Sequence, residues 1–527
     1  MRRSSGSLAI SCGTEPANSA RRTTASAVAI VLGTLLGGEA IAQGADQGSP
    51  KLDELTRQVQ QLQQQIDQLR AQQAAAANQA AAPAPVSSVP EPAAGPGIHA
   101  GPLTLTFGGF AELATIYRDR NETADVSSNF NGGIPFPNSP QYHMSEFRES
   151  ARQSRLSLLT EGPHDGDSRA EAYLEMDFQS STPTANSVES NSYTPRMRHF
   201  YGVYYRKPSN AYVLAGQTFS LATLQKKGIM PRQEQIPLTI DGQYVVGFNW
   251  TRNPQLRLVK NFGEQVALGV SLESPQAIIA SGPNAPLVPT VTSTPGGQLF
   301  APTVNYSTDV GPDVLVKAAW DPGFGHYELY GLGRAFRDRA AHENHTTYGG
   351  GVGLGMILPL AKQLDVQLSG LAGRGIGRYG SAQLPDVTVQ PDGQLSRVSA
   401  YQAMLGLNYR PSAKWTVYGY AGIEDAQPEH FTAVVNGTTL GYGYGSPLYD
   451  NSGCLTEGSA VCAANTSRVE QGVIGAWWKY YEGTLGNLQL GFQGSYTKRK
   501  IFEGIGGAPD TDITMGFVSF RYYPYQK

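Results

Sequence analysis

What the 527-residue chain lacks narrows the reading first. It has no apolar run long enough to cross a membrane as a helix, although 40% of its residues are hydrophobic and the mean hydropathy is −0.30. The formal net charge of −3 is close to neutral, which implies no nucleic-acid partner. Cysteine (3) and methionine (8) are scarce. Cys12 sits ahead of an apolar stretch without a lipobox, so a lipoprotein is not indicated. No GxSxG, HExxH, P-loop or dinucleotide fingerprint occurs in a context that would make it work, and no cofactor is implied. The eight histidines are scattered; His342 and His345 share a segment but read as a solvated pair rather than a metal site. Composition alone still leaves a soluble multidomain enzyme open.

What is present is glycine (61), tyrosine (27) and phenylalanine (18), in segments that alternate. In SRAEAYLEMDF, Ala170, Ala172, Leu174, Met176 and Phe178 fall on one face of a strand. Arg169, Glu171, Tyr173, Glu175 and Asp177 fall on the other. A half-buried soluble strand alternates in the same way. Here, however, the pattern recurs from Leu103 to the end, with no amphipathic helix to cover the apolar side. A sheet that is apolar outside and charged inside fits a transmembrane β-barrel around water. Glycine-rich Gly349–Gly355 reads as a strand that bends the barrel.

The pattern predicts an all-β chain with a 16-stranded antiparallel transmembrane barrel over residues 103–527. Tight turns are expected at Gly162–Asp167, Lys207–Asn210, Asn261–Glu264, Asp321–Gly325, Pro359–Gln363, Pro411–Lys414 and Gly483–Asn487. Long loops are expected between them: after Arg118, after Phe178, and at about 220–243, 274–311, 339–345, 379–397, 425–467 and 501–511. Short turns on one rim and long loops on the other are the outer-membrane arrangement, and an even count puts both barrel ends on the periplasmic side.

The N-terminal region is read separately. Arg2, Arg3, Arg21 and Arg22, the apolar stretch Ala27–Leu36 and the Ala40-Ile41-Ala42 cleavage pattern indicate a signal peptide over 1–42. Within 43–70, Leu52, Leu55, Val59, Leu62, Ile66 and Leu69 step by three and four, which predicts a short periplasmic coiled-coil helix. Its core residues by themselves favour two strands; a barrel oligomer would impose three. An Ala/Pro-rich linker covers 71–102.

Chemistry is sought on the polar faces. Strand two offers Arg155, strand three Glu171, Glu175 and Asp177, and strand four Arg196 and Arg198. Either these form a salt-bridge lattice that stiffens the wall, or they set a lateral field that selects solutes. The loop SLATLQKKGIMPRQEQIPLTIDGQ carries Lys226, Lys227 and Arg232 beside Leu221, Leu224, Ile229, Met230 and Ile236. It is too apolar to hang in solvent, so it either folds into the lumen as a constriction or covers a subunit interface. Cys454 and Cys462 share one loop, and an oxidising compartment favours bridging them as a staple without further function.

The segments RQSRLSLLTEG, PRMRHFYGVYYR and VLAGQTFSLAT, together with the order heptad, linker and barrel, resemble the DcaP-like trimeric porins of Gram-negative outer membranes. The resemblance implies a homotrimer with an N-terminal periplasmic coiled coil and an anion-favouring pore, with dicarboxylates among the substrates. It implies that Arg155, Arg196 and Arg198 project into the channel. The chain ends Tyr525-Gln526-Lys527 rather than on an aromatic residue, which departs from the usual barrel-assembly signal. The reading is a non-enzymatic outer-membrane porin for small anionic solutes, whose partners are outer-membrane lipid and its own copies. A phosphate-selective or general porin, and a structural or adhesive barrel with no conducting pore, are the alternatives.

Overall fold

The computed structural model describes residues 97–525 apart from 123, 181–187, 189–192 and 287–307. The segments read from the sequence as a signal peptide and a coiled coil lie outside the described residues. Sixteen strands form the barrel. They are β1 (Leu103–Arg118), β2 (Glu146–Ser150 and Arg155–Glu161), β3 (Ser168–Asp177), β4 (Arg196–Arg206), β5 (Ala211–Phe219), β6 (Arg252–Phe262), β7 (Val266–Glu273) and β8 (Asp313–Trp320). They continue as β9 (His326–Ala340), β10 (Glu343–Ala361), β11 (Leu364–Arg374), β12 (Ser399–Ser412), β13 (Trp415–Ala426), β14 (Thr466–Gly483), β15 (Gly486–Ile501) and β16 (Asp510–Tyr523). Every neighbouring pair is antiparallel, and β16 closes on β1 from Ala111 opposite Tyr522 to Arg118 opposite Met515. Closure leaves no unpaired edge, the condition for a sheet in lipid.

The alternation read from the sequence sets which face is which. Leu113, Leu256, Leu258, Val270, Val316, Leu329, Val352, Leu405, Ile474, Phe492 and Val518 point outward and are exposed. Glu112, Arg118, Arg198, Arg257, Lys317, Glu328 and Arg334 are buried. This is a soluble protein turned inside out, because lipid rather than water meets the outer wall. Strand two departs from a simple strand. Its halves flank residues 151–154, and both pair with β1. Gly109 makes this possible: at φ 116 its missing Cβ would lie 2.2 Å from the Arg155 carbonyl oxygen.

The segment 339–345 is a correction. It is not a long loop: β9 and β10 run on through it and are joined by the two-residue turn Ala341-His342, at φ 51 and 69. His345 is thereby a strand residue, with Nδ1 3.0 Å from Asp338 Oδ1. The expected loop 425–467 also contains a hairpin, Glu429–Val435 with Thr438–Tyr444, that the sequence reading did not separate. In the same loop Cys454 and Cys462 are joined by a disulfide.

Loops on the long-loop rim turn inward. Segment 220–251 descends into the lumen, and Leu221, Leu224, Ile229, Ile240, Val245, Val246 and Phe248 are buried there. Ile240, Val245, Val246 and Phe248 pack with Val126, Phe130 and Ile134 of the β1–β2 loop and with Tyr418, Tyr420, Val473 and Phe517 of the wall, while Leu221 and Ile229 pack with Tyr201, Tyr212 and Leu315. The backbone N–H groups that a buried loop must satisfy are met by wall side chains. Leu238 N donates to Tyr420 OH at 3.0 Å, Ile240 N to Gln493 at 2.6 Å and Val246 N to Gln471 at 3.0 Å. Glu424 accepts from Gly247 N at 2.9 Å and from Ala382 N at 2.8 Å, so one carboxylate clasps two different loops.

Candidate pore constriction

With the loops folded against β13–β16, inward side chains that keep some solvent exposure concentrate on β2–β4 and the ends of the inserted loop. They include Arg155, Ser157, Tyr173, Glu175, Arg196, Arg232, Gln243, Trp250 and Arg252. The ladders bring the candidates of β2–β4 together: Ser157 stands opposite Glu175, and Asp177 opposite Arg196.

The ion pairs step along β3. Asp177 at its outer end takes a two-pronged contact from Arg196, Nε to Oδ1 at 2.9 Å and Nη2 to Oδ2 at 2.7 Å. Arg198 binds Glu175 through Nε at 2.5 Å and Asp177 through Nη1 at 3.0 Å. Arg155 lies 3.8 Å from Glu175. Arg232, carried by the inserted loop, donates to Glu171 at 2.6 Å. Glu171 is four residues nearer the tight-turn rim than Glu175, roughly 13 Å along a strand. Arg155, Arg196, Arg198, Glu175 and Asp177 thus form one cluster, with Arg232–Glu171 a step below.

Lys226 and Lys227 belong elsewhere. Gly228 N donates to Asp321 Oδ2 at 2.9 Å, so the loop tip reaches the tight turn between β8 and β9. Both lysines line a cavity of about 550 Å³ there, with Glu264, Asp321, His326, Asp365 and Arg410. They do not join Arg155, Arg196 and Arg198, as the sequence reading had them do. A nine-residue descent inside a barrel, from Ser220 to Gly228, cannot be read from local composition.

The structure adds residues that the sequence reading missed. Arg252 lies over the rings of Trp250 (5.2 Å) and Phe219 (5.6 Å), beside Arg196 and Arg198. Its guanidinium makes no ion pair or hydrogen bond among the described residues, and its Nε is buried without a partner. By strand parity Arg252 belongs with Pro254 and Leu256, which face outward. It escapes that parity because the chain is just leaving the inserted loop, so alternation could not have found it. Arg198 also donates to the Tyr244 hydroxyl at 3.4 Å. Arg521 on β16 pairs with Glu112 at 3.0 Å and lies over Phe110 and Trp477. Its place on the polar face of the last strand was a usable signal.

The charge balance decides what the cluster can do. Four guanidinium groups (Arg155, Arg196, Arg198, Arg252) face two carboxylates (Glu175, Asp177), leaving two positive charges in excess. Arginine keeps its charge at any working pH and can hold a carboxylate or phosphate through two parallel hydrogen bonds.

No protein-family model matches the chain, and no curated protein matches its sequence. Among solved structures, the outer membrane channel DcaP of Acinetobacter baumannii superposes with a TM-score of 0.56 at 17% identity, covering 81% of this chain and 99% of that one. An anion-selective porin from Comamonas acidovorans matches at a TM-score of 0.44 and 12% identity, covering 80% of this chain and 99% of that one. OmpF of Salmonella typhi, in complex with daunomycin, matches at 0.43 and 9%, covering 81% and 100%. By fold, this chain is a sixteen-stranded porin-type barrel similar to the outer-membrane channel DcaP.

Proposed function

We propose that the protein is a passive outer-membrane channel for small anionic solutes. The observation that carries the reading is the excess of two positive charges at the partly exposed cluster of Arg155, Arg196, Arg198 and Arg252, with Arg252 making no ion pair of its own among the described residues. The inserted loop adds Arg232 below the cluster, and Glu171, Glu175 and Asp177 hold the guanidinium groups in place. Dicarboxylates fit such a row of guanidinium groups. Charges in a water-filled pore are screened over about 8 Å at physiological salt, so the preference weakens as salt rises.

The test is a planar-bilayer recording of the zero-current potential under a salt gradient. The native channel prefers the anion, and Arg196→Ala with Arg198→Ala shifts the potential toward cations. An unchanged potential at low salt would make the arginines braces only; absence of conductance would favour a structural or adhesive barrel.

In the same reading the mature chain starts near Gln43 after export, stands in lipid as a homotrimer, and carries the helix over Leu52–Leu69 in the periplasm as an aid to assembly. Deleting 43–97 should leave trimers on native electrophoresis, because the barrel wall offers more area than eighteen residues of helix. Recovery of monomers alone would make the helix the main assembly element.

A further inference from the structure

The arginines do not stand alone on their wall. Tyr173 on β3 lies 5.8 Å from both Tyr201 and His199, ring centre to ring centre. His199 is 5.3 Å from Phe219, Phe219 is 6.2 Å from Trp250, and Trp250 is 5.1 Å from Tyr244. This is an unbroken arc of rings at stacking distance. It runs beside the guanidinium cluster: Arg232 lies 5.6 Å over Tyr173, and Arg252 lies over Trp250 and Phe219. Most of the rings are buried, but Tyr173 and Trp250 retain exposed surface, and so do Arg155, Arg196 and Arg252 beside them.

Both accessible rings are held in place. Trp250 Nε1 donates to Ser381 Oγ at 3.0 Å, and its backbone N–H donates to the Tyr379 carbonyl at 2.9 Å, which pins the indole to the neighbouring inward loop. The Tyr173 hydroxyl donates to Glu175 Oε2 at 3.1 Å. A ring fixed by its polar edge offers its face at little ordering cost. If the arc served only to pack the loop, its most constrained members would be wholly covered.

We infer that the constriction discriminates among anions in favour of planar aromatic carboxylates, with Trp250 and Tyr173 as the specificity-determining residues. The inference rests on the anion-channel reading above and deepens it. A solute of this class places its carboxylate against Arg252 or Arg196 while its ring lies along Trp250, and meets Tyr173 further along the arc. The same guanidinium groups can also lie over the solute ring. An aliphatic carboxylate of equal size and charge keeps the first contact and loses the others.

The test uses benzoate and cyclohexanecarboxylate, which match in charge and nearly in size. Relative permeabilities are taken from zero-current potentials of the full-length protein in planar bilayers, with chloride as reference. The expected result is a benzoate preference of about two- to tenfold, the range that one ring–ring contact supplies. In Trp250→Leu and in Tyr173→Leu the preference falls toward parity while chloride-over-potassium selectivity is kept. Trp250→Phe, which retains a ring, retains most of it. If Trp250→Leu fails to fold, Tyr173→Leu decides alone. Equal permeabilities in the native channel, or an unchanged preference in the Leu variants, would overturn the inference while leaving the anion channel intact. Loss of chloride selectivity in the native channel itself would remove both.

Discussion

The two sides of the lumen hold buried charges of both signs, yet they do different work. Along β7–β9 the buried bases Lys317 and Arg334 are answered by acids. Lys317 meets Glu328 at 2.6 Å, and Arg334 meets Asp313 at 3.1 Å and Asp386 at 2.6 Å. The same groups hold loops: Glu328 accepts from Gln225 N at 2.9 Å, and Asp386 from Ile278 N at 2.8 Å. At the cluster on the other side, Arg155, Arg196, Arg198 and Arg252 outnumber Glu175 and Asp177, and several keep contact with solvent. Charge by itself therefore does not mark a pore. A charge that has no ion pair and keeps contact with solvent is the better marker, because it still reaches water or solute, whereas Arg499 is buried and answered by carbonyls and Thr466.

The largest expected effect lies on the compensated side. Arg334→Met leaves Asp313 and Asp386 buried with their main partner gone, and breaking such a pair costs about 3–5 kcal/mol. The native fold should be lost at markedly lower denaturant, read from the fraction of heat-modifiable barrel on a gel. On the pore side Arg196→Met should cost only about 1 kcal/mol or less, since Arg196 is partly exposed and Asp177 keeps Arg198. Equal losses would erase the distinction drawn here.

Next in size is Arg252→Ala, which orphans no acid. Folding should be kept while anion preference drops. One charge about 4 Å from a solute in water is worth about 1 kcal/mol, so the permeability ratio should fall by no more than about fivefold. A cation-ward shift with wild-type stability sharpens the comparison; a folding defect breaks it.

A third effect depends on pH. Glu122, in the loop between β1 and β2, is pushed up to about 7 by burial, against which Arg118 acts. Its value in the folded loop lies above the ordinary 4.5, so the loop binds a proton more tightly when packed. That contribution is complete below about pH 4.5 and is lost as pH rises through about 7. Amide exchange over 124–134, corrected for intrinsic rates, should be slower at pH 5 than at pH 8, and Glu122→Gln should flatten the difference. Native exchange that does not change with pH would refute this.

The smallest effects concern groups far from the cluster. Reducing Cys454–Cys462 removes about 2–3 kcal/mol of local order at most and should leave conductance unchanged. Lys226→Gln with Lys227→Gln should alter selectivity far less than Arg252→Ala does, because both lysines stand at the tight-turn rim. A shift as large as that of Arg252→Ala would place the selective step there instead.

Much of this was determined locally. Alternation along Ser168–Asp177 assigned Ala170 to lipid and Glu171, Glu175 and Asp177 to the interior, because a strand has only two faces. Turn residues gave the strand count for the same reason: a hairpin is closed by its nearest neighbours in sequence. The segment 339–345 failed that logic, since Ala341-His342 carries no glycine to announce its positive φ values. What only the tertiary structure decided is everything that depends on distant chain meeting in the lumen. The path of 220–251 is set by wall groups as remote as Glu328, Glu424 and Gln493. That path carried Lys226 and Lys227 away from the cluster, turned Arg252 into it against its strand parity, and ranged Trp250 with Tyr173. Contacts between residues tens to hundreds of positions apart leave no periodicity in the sequence, because no local repeat encodes where an inserted loop comes to rest.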